Sequence, residues 1–399
     1  MSRMQIILIY MSLQVIGLLA GAPQGFAEGP VTDFPLEKWS LHFQATAVTQ
    51  DHGNFNAAYS GLNSLSPNQE QRTSLTSTLF LGAKLWEGGQ IYVDPELSGG
   101  SGLSQTMGLA GYPNGEIYRV DSPDLTVQIS RAYFQEIFGL GGEQERQEAD
   151  ENQLAQITDI SRITFIFGKF SLNDFFDDTI YAHNPRTQFM NWAFMDNGAW
   201  DYAADTRGYT WGFYLEFNQA HWALRLASVL EPDRANQMGM DLDISHAHGD
   251  NLELEVRYSV EDHPGKTKLV FYENHAHMGS YGLAVSQNPS APDVVSTRDY
   301  RIKYGAGLNV EQEITKDVGF FGRWGWNDGT TETWAFTEID TTLALGLNVV
   351  GSLWGRVLDN IGVGFITDGL SGDHATYLAS GGYGFIIGDG ALDYSREQI

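Results

Sequence analysis

From Trp39 onward the chain keeps returning to one pattern, about ten residues in which apolar and polar side chains alternate, followed by a break. Trp39, Leu41, Phe43, Ala45 and Ala47 alternate with Ser40, His42, Gln44 and Thr46, and Leu252, Leu254, Val256 and Tyr258 alternate with Glu253, Glu255 and Arg257. A period of two sends successive side chains to opposite faces of a β-strand. Roughly fourteen such runs are readable, centred near residues 43, 78, 93, 131, 166, 213, 226, 255, 270, 304, 322, 340, 363 and 381. Helical periodicity is nearly absent. Residues 143–156, EQERQEADENQLAQ, read as a solvated connection in preference to a short polar helix.

The breaks alternate in length. Long ones at 50–72, 98–124, 171–208, 231–250 and 274–298 interleave with short ones at 84–89, 218–220, 261–265 and 310–316, and 139–160 falls out of step. Long loops at one end and tight turns at the other are what a transmembrane barrel requires. No stretch beyond the N-terminal region approaches a helix-length apolar span, so a membrane crossing would have to be made by strands.

The same alternation with its faces exchanged would fit a soluble sandwich. Three features favour the barrel. Aromatics sit near strand ends on the apolar face (Trp39, Trp211, Trp222, Tyr258, Trp324, Trp326), charges sit mid-strand on the polar face, and mean hydropathy is only −0.25 despite a net charge of −27.

Met1-Ser2-Arg3, the apolar run Ile6–Ala20 and Gly25-Phe26-Ala27 have the layout of a signal peptide over residues 1–27, leaving 28–399 as one domain. Removing Arg3 with that segment leaves 22 basic against 50 acidic side chains, which excludes nucleic acid as a partner. There is no cysteine, so no disulfide framework supports the fold.

Residues 170–209 form the longest interruption. They hold ten aromatics, six aspartates, four asparagines and two arginines, with no lysine or glutamate. Disordered segments are poor in aromatics, so this one is expected to pack, folding into the barrel lumen and narrowing it.

The segment from Ile166 to Phe217, with Asn184-Pro185-Arg186 and Asp205-Thr206-Arg207-Gly208-Tyr209 within it, resembles the signature block of the OprB-type carbohydrate-selective porins. Asn274–Val285 and Tyr383–Ile399 resemble the same family. The resemblance implies a sixteen-stranded antiparallel barrel in the outer membrane, working as monomer or homotrimer without cofactor, passing small sugars by diffusion past an inward-folded loop. Family members end on an aromatic residue whereas this chain ends Glu397-Gln398-Ile399, so a missing last hairpin is expected.

Sugars are bound by planar polar groups on their hydroxyls and aromatic faces on their C–H surface. The candidates for constriction or sugar contact are Asp174, Asp177, Asp178, Arg186, Asn191, Trp192, Asp196, Asn197, Trp200, Asp201, Asp205 and Arg207. Arg225, Arg257, Arg301, Lys303 and Arg323 are expected to line the pore, facing the loop's aspartates or simply solvated. His246, His248, His275 and His277 fall at one end of two strands joined by a short turn and are weaker candidates for a zinc or copper site. No nucleophile elbow, HExxH or phosphate-cradling loop is present, so an enzyme is not expected. The alternatives are a secreted β-rich glycoside hydrolase, using two carboxylates, or a sugar-binding protein.

Overall fold

The computed structural model describes residues 36–389 apart from 58, 119–122, 336 and 385. The expected signal segment and the run Leu392–Ile399 lie outside the described residues.

Among the described residues thirteen strands form one antiparallel sheet in chain order. They begin with β1 (Trp39–His52), β2 (Glu70–Lys84), β3 (Gly89–Gly100) and β4 (Thr126–Gly139). A separate small hairpin follows, β5 (Gln144–Gln147) with β6 (Gln156–Asp159). The sheet then continues through β7 (Arg162–Phe170), β8 (Thr210–Asn218), β9 (Trp222–Val229), β10 (His248–Val260) and β11 (His263–Met278). It ends with β12 (Asp299–Thr315), β13 (Val318–Asn327), β14 (Thr341–Val350) and β15 (Asn360–Gly369).

Thirteen of the fourteen expected runs are strands of this sheet. The run centred near 381 is not. Residues 372–379 form a helix instead, because Ser371 accepts a hydrogen bond from His374 N at 3.1 Å and so caps it, and the chain then turns through Gly381 at φ +91°. Residues 143–156 are likewise no simple connection. Asp159 gathers Gly141 N at 2.7 Å and Gln144 Nε2 at 2.9 Å, which closes the β5–β6 hairpin.

Among the described residues β1 and β15 are the sheet's edges, and they run in the same sense. Antiparallel closure therefore takes an odd number of strands between them, and sixteen strands would supply three. Unpaired backbone groups in lipid cost several kcal/mol each, so closure is a physical requirement of this sheet.

The faces are inverted relative to a soluble protein. The outward face carries exposed Leu41, Phe43, Phe167, Leu254, Leu269 and Ile302, while Asn251, Glu253, Lys268, Lys303, Asn309 and Arg323 are buried on the inward one. Lipid accepts the first set; the second needs partners inside.

Among the described residues three short α-helices lie in the long loops: α1 (Trp192–Met195), α2 (Tyr281–Gln287) and α3 (Gly372–Ala379). Buried His374 fixes α3 in place. Its Nδ1 is 2.8 Å from Asp340 Oδ2, its Nε2 is 3.4 Å from Glu338 Oε1, and its ring stacks on Tyr281 at 4.3 Å. Glu338 also accepts from Ile386 N and Ile387 N at 2.9 and 2.8 Å, so one carboxylate holds both ends of the segment. Burial alone would lower the His374 pKa, but Asp340 and Glu338 reverse the direction and raise it to about 9.

A histidine raised in the folded state contributes stability that is fully present below its unfolded pKa of about 6.5 and is lost as pH rises through about 9. The contribution is roughly 3 kcal/mol. Protease nicking within 370–389 is expected to accelerate across that window in the parent chain. In His374→Gln it should be faster from the outset and show no step there; a step that survives the substitution would assign the titration to another group.

Candidate functional site

Residues 171–209 leave the end of β7 and return at β8 by way of the sheet's inward face. Their placement starts with a proline. Pro95 in β3 has no N–H for the ladder, and the register of β3 on β4 shifts at Asp94/Pro95. The extra residue is Ser130, whose hydroxyl donates to Asp94 O at 3.0 Å. Beyond this bulge Arg131 points inward, and its guanidinium grips the Asp174 carboxylate with two bonds of 2.7 and 2.5 Å.

The deepest anchor is Arg323 on β13, fully buried. It donates to Ala182 O at 2.6 Å, Phe194 O at 2.7 Å, Asp177 O at 2.7 Å and Met195 O at 3.3 Å, and its Nε lies 2.8 Å from Asp177 Oδ2. One planar fork thus collects carbonyls from both limbs of the loop, which a lysine could not do. Asp177 sits at φ +52° and accepts further bonds from Asn197 N (2.8 Å) and Asn309 Nδ2 (3.0 Å), while its own N–H donates to Glu253 (2.7 Å). Burial pushes the Asp177 carboxyl up more than Arg323 holds it down.

Other loop carboxylates repeat the arrangement. Asp201 pairs with buried Lys303 at 3.3 Å and accepts from Trp334 N and Ala335 N at 2.8 and 3.0 Å. Asp178 pairs with Lys268, and Asp205 lies 3.6 Å from Lys169. Asp196 lies 3.5 Å from His183; burial would lower that histidine, but Asp196 raises it.

Aromatic burial and wall glycines complete the fit. Trp200 is buried, its Nε1 donating to Asn251 Oδ1 at 2.9 Å, and Phe176 packs against it. Asn197 donates to Trp324 O at 2.8 Å, which brings it so close to β13 that a Cβ on Gly325 would lie 1.8 Å from its Oδ1.

Several sequence candidates therefore serve as loop anchors. Asp177, Asp196, Asn197, Trp200, Asp201 and Asp205 are buried; Asn191 caps α1 through Ala193 N at 2.9 Å. Arg207 lies over the Tyr118 ring at 3.7 Å and donates to Thr126 Oγ1 at 2.9 Å. Asp174, Asp178, Arg186 and Trp192 keep partial exposure, with Arg186 paired to Glu116. Of the wall cations, Lys303 and Arg323 meet loop aspartates directly. Arg225 instead binds Glu216, Glu253 and Glu255 at 2.8, 2.6 and 2.9 Å, and Arg257 pairs with Glu255 at 2.5 Å. Arg301 donates to Met278 O at 3.1 Å and Thr297 O at 3.2 Å. None of these five is a merely solvated lining.

The histidine pairs do meet. His248 and His275 are register partners with rings stacked at 4.4 Å. His246 binds Asp243 at 2.9 Å instead, His277 packs on Tyr300, and among the described residues no group of three or more His, Asp or Glu is placed to hold a metal ion. Arg131, Lys169, Lys268, Glu253 and Asn309 are site residues that sequence reasoning missed. For Lys268, Glu253 and Asn309 the signal was charge or amide at a mid-strand polar position, which periodicity marks as inward but cannot assign to a partner; Arg131 is turned inward only by the bulge, and Lys169 stands near the end of β7 in register with outward Trp211, so alternation marks neither.

Comparison with known proteins settles the family. The carbohydrate-selective porin, OprB family, matches residues 36–395. The chain belongs to the OprB family of carbohydrate-selective porins. The fold agrees: OprB of Pseudomonas putida, in its high-pH structure, superposes with a TM-score of 0.61 at 15% identity, over 86% of this chain and 78% of that one. OccAB1 of Acinetobacter baumannii gives 0.42 at 11% identity, over 83% and 80%. A search of curated proteins finds no match. Membership makes this OprB-family protein an outer-membrane β-barrel and a channel, not an enzyme.

For this porin, Arg323→Met is expected to cost roughly 3–5 kcal/mol of stability, because it strands a buried carboxylate. Adding Asp177→Asn should recover part of that. Denaturant unfolding from lipid vesicles measures both, and equal losses in the single and double variants would remove the pair from the account.

Proposed function

We propose that the protein lets small sugars diffuse passively through a water-filled lumen narrowed by residues 171–208, exported to the outer membrane by the signal segment 1–27 and acting there as monomer or homotrimer. The observation that carries this reading is where the loop is anchored: at its base on Arg131 of β4 and Lys169 of β7, and along its length on β10 to β13. Its deepest anchors lie on β10 to β13, where Asn251, Glu253, Lys268, Lys303, Asn309 and Arg323 are buried beneath it. Across from them the inward His42, Gln44 and Thr46 of β1 and Arg72 of β2 stay half-exposed. We take the passage to run between that wall and the loop flank, where Asn173, Asp174, Arg186 and Trp192 keep partial exposure.

Such a flank presents the edges of the Asp174–Arg131 and Arg186–Glu116 pairs, an amide and an indole to a passing sugar. Contacts of that kind must be individually weak, since a tight site would stop the flow. The soluble alternatives, a glycoside hydrolase or a lectin, are not favoured by an outward face lined with exposed Leu, Phe and Trp.

Single-channel conductance in a planar bilayer, titrated with glucose and then maltose, tests the reading. Stable openings partly blocked by sugar are expected. Arg186→Ala should weaken the block by roughly tenfold, the worth of one charge-assisted hydrogen bond. Openings indifferent to both sugars would refute carbohydrate preference, and a lack of conductance would refute the channel.

A further inference from the structure

The ladders between β8 and β12 align outward side chains into rows across the sheet. Phe217, Leu224, Leu254, Leu269 and Leu308 form one such row. Leu215, Leu226, Leu252, Phe271 and Ala306 form the next, two residues nearer the long loops. Both are wholly apolar. The third row reads Phe213, Ser228, Asp250, Glu273, Tyr304. Aromatics at its two ends mark the depth of an interfacial girdle, yet its centre holds two carboxylates side by side, each 52% exposed.

Like charges directly opposite one another across a ladder are unfavourable, and carboxylates on the lipid face are more so unless something cationic meets them. The stacked His248 and His275 stand one row further out and turn toward the acids, with His275 Nε2 2.5 Å from Glu273 and His248 Nε2 3.7 Å from Asp250. Phe213, Leu226, Leu252 and Phe271 line an open groove of about 490 Å³ together with Ser228, Asp250 and Glu273.

We propose that this groove is a lipid site that selects an ammonium-bearing headgroup. An acyl chain lies along Leu226, Leu252 and Phe271, and the ammonium sits between Asp250 and Glu273. Tyr304, next to Glu273 in the row, adds a ring face that favours a cation. The occupant is identified by charge complementarity: a deep apolar row calls for a chain, and an acid pair at headgroup depth calls for a positive charge.

Native mass spectrometry of the intact barrel, extracted into mild detergent and offered equal phosphatidylethanolamine and phosphatidylglycerol, tests this. The parent chain should retain the ethanolamine lipid about threefold to fivefold over the glycerol lipid, the factor an exposed ion pair supplies. Asp250→Asn with Glu273→Gln should abolish the preference while leaving single-channel conductance unchanged, which shows the barrel intact. Ser228→Leu, which fills part of the groove without touching the charges, should lower retention of both lipids. Equal retention by the parent chain would overturn the proposal, as would a preference that survives the double substitution. Retention of a second copy of the chain in place of lipid, lost in the double variant, would make the face a subunit contact and equally overturn it.

Discussion

Burying charge inside a barrel is costly unless each charge finds its opposite, and the interior of this one is organised by that cost. Arg323 has no water to turn to, so it binds Asp177 and four carbonyls of the loop. Lys303 does the same with Asp201, and Lys268 with Asp178. Removing the loop would strip Arg323 and Lys303 of their carboxylate partners, and removing those cations would leave Asp177 and Asp201 buried without a counter-charge. Wall and loop are therefore one structure, and the hydrophobic contacts of Phe176, Trp200 and Phe194 fill the space these pairs define.

The strand pattern was legible because a membrane barrel imposes a period of two on both faces over many residues. Thirteen runs became strands within a few residues of their expected positions. Where periodicity was weak, local chemistry decided: the Ser371 cap made α3, and Asp159 closed the β5–β6 hairpin. That residues 171–208 pack was readable from aromatics that had to be buried, among them Phe176, Trp200 and Tyr202.

Partners within the lumen were not legible. Arg131 reaches Asp174 only because a bulge at Pro95 turns it inward, and Gly325 matters only because Asn197 passes it so closely. Both depend on contacts more than 40 residues apart in the chain, which alternation does not encode. The same limit applies to the outward face: that Asp250 and Glu273 fall in one row with Phe213 and Tyr304 follows from ladder registers alone.

The proposal that the loop, anchored on β10–β13, leaves the passage along β1 and the outer end of β2 can be tested by cysteine accessibility, since the chain has no cysteine of its own. Gln44→Cys and Arg72→Cys, exposed to a positively charged thiol reagent in a planar bilayer, should each give a stepwise drop in conductance. Ala344→Cys, buried on the inward face of β14, should be silent. The reverse pattern, with Ala344→Cys blocked and the β1 and β2 positions silent, would place the passage on the wrong side and contradict the account.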